Sequence, residues 1–205
     1  MKIRAQYESA TYGDIMIVNS QYWKNELVEL VEQFNMWSRI SDAKSETEDW
    51  HDERRFKLER SLFYSALVIR RLIDSRKITD KLRSKSVQLD TLQSLKQFPD
   101  SLLSSLGFSK IYDDFDFQNP KLEKLSSYKI ASEILHSVTL DFISTDSENN
   151  IESVIVAYEH NRFLRAIKIP IYVWTALLNE FINDRVTKFE ASLDSDKSKL
   201  IIDIK

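Results

Sequence analysis

The sequence predicts an α+β protein: a helical, bundle-like core with a small three-stranded antiparallel sheet inserted before the C-terminal helix. Three observations carry this. Apolar residues recur at helical spacing from about residue 20 to about residue 74, their period falls to two after His136, and it becomes helical again after Pro170. The expected organisation is one domain over residues 1–205. Its helices lie at about 20–39, 49–74, 120–136 and 170–190, and its strands at about 138–144, 151–158 and 162–169.

The first helix is read from "SQYWKNELVELVEQFNMWSRI". Trp23, Leu27, Leu30, Phe34 and Trp37 fall three or four apart and share one face, and Val28 and Val31 widen it beyond a coiled-coil seam. Ser20 is the expected cap. A polar, acidic loop, "SDAKSETEDWHDE", runs into the second helix, whose body is "ERRFKLERSLFYSALVIRRLIDS". Here Phe56, Leu62, Phe63, Ala66, Leu67, Ile69, Leu72 and Ile73 make the inner side, with Leu58 near its edge, while Arg54, Arg55 and Lys57 stay in water.

From Lys77 to Asn119 the pattern is broken, with Pro99, Gly107 and Pro120 as punctuation, and the segment reads as a basic connector followed by an irregular stretch. A helix restarts at Pro120 with Asn119 as cap, and Leu122, Leu125, Tyr128, Ala131 and Leu135 form its inner stripe. After His136, Val138, Leu140 and Phe142 alternate with polar residues, and "IESVIVAY" and "FLRAIKI" follow after short polar turns. Sequential strands with such links make an antiparallel meander. Trp174, Leu177, Leu178, Phe181, Ile182 and Val186 then give the last helix. The tail, ending "LIIDIK", is expected to dock as a strand, cover a second copy of the chain, or fray.

Composition narrows the chemistry. With 42% hydrophobic and 30% charged residues, the chain has the balance of a folded protein. Its 29 basic and 32 acidic residues leave a net charge of -3, which gives no overall attraction to nucleic acid or an anionic membrane. The absence of cysteine excludes disulfides, thiolate metal sites and thiol catalysis, and fits a reducing compartment. Only Gly13 and Gly107 are glycines, too few for a phosphate-cradling loop or a dinucleotide fold of the usual kind. No apolar run is long enough for a membrane span and the start lacks a secretory pattern, so a cytoplasmic location is expected.

The candidate site is the corner where "KIASEILH" gives way to strand. Glu133 and His136 share a side of the helix, a spacing used by di-iron bundles, but those need the motif twice with further glutamates. A metal-assisted hydrolase would have to recruit distant ligands such as His160 or Asp141, and no metal or other cofactor is expected. Metal-independent RNA cleavage needs a proton-transfer group and a cation beside the phosphate. His136 supplies the first, and Lys129, Arg70 or Arg71 the second. In this respect the short stretch is similar to the prokaryotic helical ribonuclease toxins known as HEPN proteins, which carry an arginine and a histidine near a helix end. Lys129 stands where the arginine is expected. Lysine is a weaker bidentate clamp on phosphate, so this departure counts against the activity, and the chain is not assigned to that family.

Other clusters read more simply as structure. Asp113, Asp114 and Asp116 in "YDDFDF" lack the glycine and distal glutamate of a calcium loop. The basic stretch "RRLIDSRKITDKLRSK" is diluted by Asp74 and Asp80, so nucleic acid is a weakly supported partner. Trp23, Trp37 and Trp174 sit on apolar stripes, whereas Trp50 stands apart as a surface anchor or helix staple. The leading functional class is therefore a non-catalytic interaction or assembly protein, with a protein partner or homodimer. RNA cleavage and metal-assisted hydrolysis are the alternatives.

Overall fold

Strand β5 (Ile151–Tyr158) is the centre from which the architecture is best understood, because every residue from Ser153 to Ala157 is buried. Alternate side chains of a strand point to opposite faces, so this strand must be covered on both. The computed structural model describes residues 2–5, 19–39, 48–95, 111–144, 150–158, 165–187, 189–193 and 200–204. Its helices of more than one turn are α1 (Ser20–Ser38), α2 (Glu48–Asp74), α5 (Ser127–Leu135) and α6 (Ile171–Asn183). The short α3 (Asp80–Arg83) and α4 (Ile111–Asp114) lie between α2 and α5 in the chain.

Around β5 lie β2 (Ser86–Gln93), β3 (Lys121–Ser126), β4 (Ser137–Ser144) and β6 (Arg165–Pro170), in the order β3-β2-β6-β5-β4. All four pairings are antiparallel. The expectation of a three-stranded sheet is thus corrected to five strands, while the α+β organisation of packed helices with an inserted sheet stands. The meander β4-β5-β6 forms three of the five. The other two come from segments whose spacing reads as connector and helix. A second sheet, ordered β1-β7-β8, joins β1 (Lys2–Ala5) to β7 (Phe189–Leu193) and β8 (Leu200–Ile204).

One face of the large sheet carries the helices. Val154, Val156, Ile167 and Ile169 pack with Leu27 and Phe34 of α1, Leu62 and Ile69 of α2, Ile130 and Ile134 of α5, and Trp174 and Phe181 of α6. On the other face Ile155, Ala157, Ala166, Leu92 and Ile143 meet Ile111 and Phe115. Trp174 is enclosed, and its indole N–H donates to Ser65 Oγ at 3.0 Å, which satisfies the one polar group of that ring.

Several expected elements are displaced, each for a local reason. The helix expected from residue 120 begins instead at Ser127, because Ser126 Oγ accepts the Lys129 N–H at 3.2 Å and caps it there. Lys121–Ser126 is the edge strand β3, and Leu122, placed on an inner helical stripe by its spacing, is 72% exposed. Asn119 caps nothing helical: its N–H and side-chain amide donate to the Asp116 carboxylate in a turn. The last helix ends at Asn183 rather than near residue 190, and the chain returns as β7. The cap of α1 is Asn19, whose Oδ1 accepts from the Gln21 N–H at 2.8 Å, rather than Ser20.

Helix α2 is rotated relative to the expected stripe. Phe56 is 59% exposed, Leu58 is fully enclosed, and Arg54 is only 4% exposed. Arg54 lies inside because its guanidinium closes the C-terminus of α1, donating from Nε to the Trp37 carbonyl at 2.7 Å and from Nη2 to the Ser38 carbonyl at 2.9 Å. Its neighbour Arg55 donates to the Leu140 carbonyl at 3.0 Å and lies 3.2 Å from Asp141, so a cation sits on the edge strand β4. At the far end of α6, the buried Lys24 amine donates to the Asp184 carbonyl, and the Asp184 carboxylate accepts from Thr79 N and Oγ1 at 2.9 and 2.6 Å. These bonds tie α1, α3 and α6 together. Among the described residues no helix is long and apolar enough to cross a membrane.

Candidate functional site

The corner after α5 brings two of the four sequence-predicted residues to one ring. Lys129, Glu133 and His136 recur at four- and three-residue spacing, so they follow one side of the helix. The strand β5 ends at Tyr158 on the same side of the sheet. The Lys129 amine lies 5.3 Å from the Tyr158 ring centroid, and the exposed His136 ring meets it edge-on at 6.0 Å. His136 itself closes the helix, its backbone N–H donating to the Ser132 carbonyl at 3.1 Å.

Beneath them is an ion cluster that the local spacing does not announce. Glu133 is 1% exposed, and its two carboxylate oxygens accept from Arg165 Nη2 at 2.9 Å and Nη1 at 3.3 Å. Arg165 Nε faces Glu123 of β3 at 3.3 Å, and the Lys129 amine lies 3.5 Å from Glu133. A bidentate guanidinium–carboxylate pair is the strongest of the side-chain ionic geometries. Taking Glu133 out of water is tolerable only because two cations meet it. Lys129 is thus engaged by a carboxylate as well as by an aromatic ring.

Arg70 and Arg71 do not join this ring. Arg70 stacks on Tyr128, 3.9 Å from its centroid, and donates to Ser132 Oγ at 3.0 Å. Tyr128 and Ser132 form the row beside the Lys129–Glu133 row on α5. Arg71, at the end of α2, is exposed. Of the other singled-out groups, Trp50 contacts His51 edge-on at 5.2 Å and lies 5.3 Å from the Arg54 guanidinium, which makes it a support of α2's first turns. Asp116 accepts from Asn119 and from the Gln118 N–H, and these bonds, led by the Asn119 side chain, hold its carboxyl below the usual carboxylate range. Among the described residues no group of three histidine, cysteine, aspartate or glutamate side chains converges to hold a metal ion, and His160 lies outside those residues.

The residues that sequence reasoning misses at the corner are Tyr158, Arg165 and Glu123. One signal is present: Arg165 is a cation within the apolar run "FLRAIKI", and Glu133 is a carboxylate on an otherwise apolar helix face. Two opposite charges in apolar settings imply a pair, but nothing in the spacing says which acid meets which base.

A separate cleft of about 740 Å³ opens between the C-terminal end of α1 and the N-terminal end of α6. Asn35, Ser38 and Arg39 line it from the α1 side, Glu152 and Ser153 from β5, and Lys168, Ile171 and Tyr172 from β6 and α6. No sequence motif marks it, because its lining comes from three distant segments.

Together these features define an α+β protein with four helices on one face of a five-stranded antiparallel sheet, a tyrosine-centred ionic corner at one place and an open cleft at another. No protein-family model, curated protein or solved structure matches the chain.

Proposed function

We propose that this chain is a non-catalytic interaction or assembly protein, acting through a protein partner or a second copy of itself. The observation that carries this reading is the closure of the corner. Glu133, Arg165 and Lys129 are engaged with one another, so the ionic groups nearest His136 serve to hold α5 on the sheet. At the surface, large side chains such as Tyr22, Met36 and Tyr172 are more than half exposed, and aromatic and methionine side chains of this kind are enriched where proteins meet. A reducing, cytoplasmic setting fits the cysteine-free composition. Sedimentation velocity from about 1 to about 100 μM tests self-assembly. A reversible heavier species at high concentration is expected, and a monomer throughout that range removes the homodimer.

One observation favours a second reading. His136 is exposed and shares the Tyr158 ring with a lysine, as metal-independent cleavage of RNA requires of its proton donor and its cation. Nucleic acid is a partner only under that reading. RNA turnover that disappears in His136→Ala replaces the first reading with the second.

A further inference from the structure

Helix α2 turns one row of side chains to solvent along most of its length. Both flanks of the helix are engaged. Toward α1, Ser61 donates to Gln33 at 2.9 Å and the Lys57 amine lies 6.0 Å from the Trp37 ring. Toward α5 and β4, Arg70 stacks on Tyr128 and Arg55 donates to the Leu140 carbonyl. The outward row between these flanks is Asp52, Phe56, Arg60, Phe63, Leu67 and Arg71. Phe56 is 59% and Leu67 40% exposed, with Phe63 half-buried beside them. The contrast with α1 is direct. Tyr22 and Met36 are exposed there too, but Asn25, Glu29 and Glu32 stand in water between them, so they form no continuous apolar row.

The row is complementary to itself. Its successive spacings are four, four, three, four and four, which read the same in both directions. Laid antiparallel on a second copy, with a two-fold axis between Arg60 and Phe63, Asp52 meets the second copy's Arg71 and Phe56 meets its Leu67. Arg60 meets its Phe63, and the symmetry makes every contact twice. Opposite charges then close both ends, apolar side chains fill the ground inside them, and an arginine lies against an aromatic ring near the axis. A parallel pair would set Asp52 against Asp52 and Arg71 against Arg71, which like-charge repulsion disfavours. A peptide of one sign would match only one end of the row.

We propose that the outward row of α2 is the surface through which two copies of this chain pair, helix against helix and antiparallel. This rests on the self-association branch of the function proposed above and supplies its surface. A helix of 27 residues is about 40 Å long. One seam of that length buries an area near or below the lower end of the about 1,200–2,000 Å² typical of stable, specific interfaces. The pair is therefore reversible, with a dissociation constant on the order of 10 μM, and each copy folds around its own core.

The test combines sedimentation velocity of the full chain with cross-linking. Phe56→Lys, at an exposed position, sets a cation near the second copy's Arg71 and is expected to weaken the dimer by at least about tenfold. Arg71→Glu is expected to weaken it as well, and adding Asp52→Arg to that variant to restore the parent affinity within about threefold, because the end contacts re-form with their signs exchanged. The chain has no cysteine, so single introduced cysteines map the axis. Arg60→Cys lies within one turn of the axis in both copies and is expected to form a disulfide-linked dimer on mild oxidation. Asp74→Cys, whose two copies would lie about 38 Å apart along the seam, is expected to stay unlinked. A monomer up to about 100 μM overturns the inference together with the homodimer. A dimer that Phe56→Lys leaves unchanged, that the charge exchange does not restore, or that Asp74→Cys links as readily as Arg60→Cys overturns the inference alone, and self-association then belongs to another face.

Discussion

Replacing Glu133 by alanine is expected to be among the most damaging single changes in this protein, although no large side chain is lost. The carboxylate is 1% exposed and accepts two guanidinium bonds, at 2.9 and 3.3 Å, from an arginine whose side chain is 14% exposed. Removing one partner of such a pair leaves the other charge desolvated and costs about 3–5 kcal/mol when burial is complete. Two features reduce that here. Arg165 keeps Glu123 at 3.3 Å, and the Lys129 contact is on the solvent side, where such a contact contributes about 0–1 kcal/mol. The expected loss is therefore about 2–3 kcal/mol, a large part of the about 5–15 kcal/mol that holds a typical domain folded. Equilibrium unfolding in urea reads it as a midpoint lower by about 1–2 M at unchanged slope. The double substitution Glu133→Leu with Arg165→Met removes both charges and is expected to return to within about 1 kcal/mol of the parent. A Glu133→Ala midpoint equivalent to less than about 0.5 kcal/mol of loss refutes the reasoning, and so does a double variant no better than the single one.

Other sites make separate predictions. Arg54→Ala removes the two guanidinium bonds that close α1 and is expected to cost about 2–4 kcal/mol in the same assay, with Arg54→Lys recovering less than half because an ammonium does not span both carbonyls. Ser65→Ala leaves the enclosed Trp174 N–H without its acceptor, for an expected loss of about 1–3 kcal/mol together with a changed near-ultraviolet circular dichroism signal from that indole; an unchanged midpoint contradicts it. Lys24 predicts a pH dependence. Burial holds its amine below the ordinary value of 10.5, against the opposing pull of Asp184 and with a smaller push from Arg185. The folded chain therefore releases this proton before the unfolded chain does, and the penalty of burying the charge is complete below the folded pKa and fades as pH rises toward 10.5. Measured against Lys24→Met, the parent is expected to gain relative stability as pH rises toward 10.5. A difference independent of pH contradicts this.

What is legible in the sequence is whatever a single segment records in its own side chains. α1 and α2 show helical apolar spacing over several turns, and the meander β4-β5-β6 announces itself by the change of period after His136 and by polar turns. β2 escapes because its strand partners are remote. Val87, Leu89 and Thr91 alternate with polar residues, yet Leu92 breaks the alternation by facing the second apolar cluster. β3 escapes because Leu122 and Leu125 are three apart, which imitates a helix, while the residue that starts the helix is the later Ser126. The phase of α2 shifts once Arg54 is found inside; its burial follows from carbonyls on another helix, which no local pattern contains. The corner divides in the same way. Lys129, Glu133 and His136 are one helix row and are legible together, whereas Tyr158, Arg165 and Glu123 arrive by strand pairing and strand order. The cleft combines α1, β5 and α6 and leaves no sequence trace at all.

The central claim is that the helix-end histidine marks a closed ionic corner and not a centre of catalysis. Its most direct test is turnover of single-stranded RNA by the purified full chain in the presence of a chelator, run beside His136→Ala and Lys129→Ala at matched concentration. The account predicts that the three proteins are indistinguishable from one another and from buffer. Cleavage by the parent chain that both substitutions abolish, with both variants still folded, contradicts it.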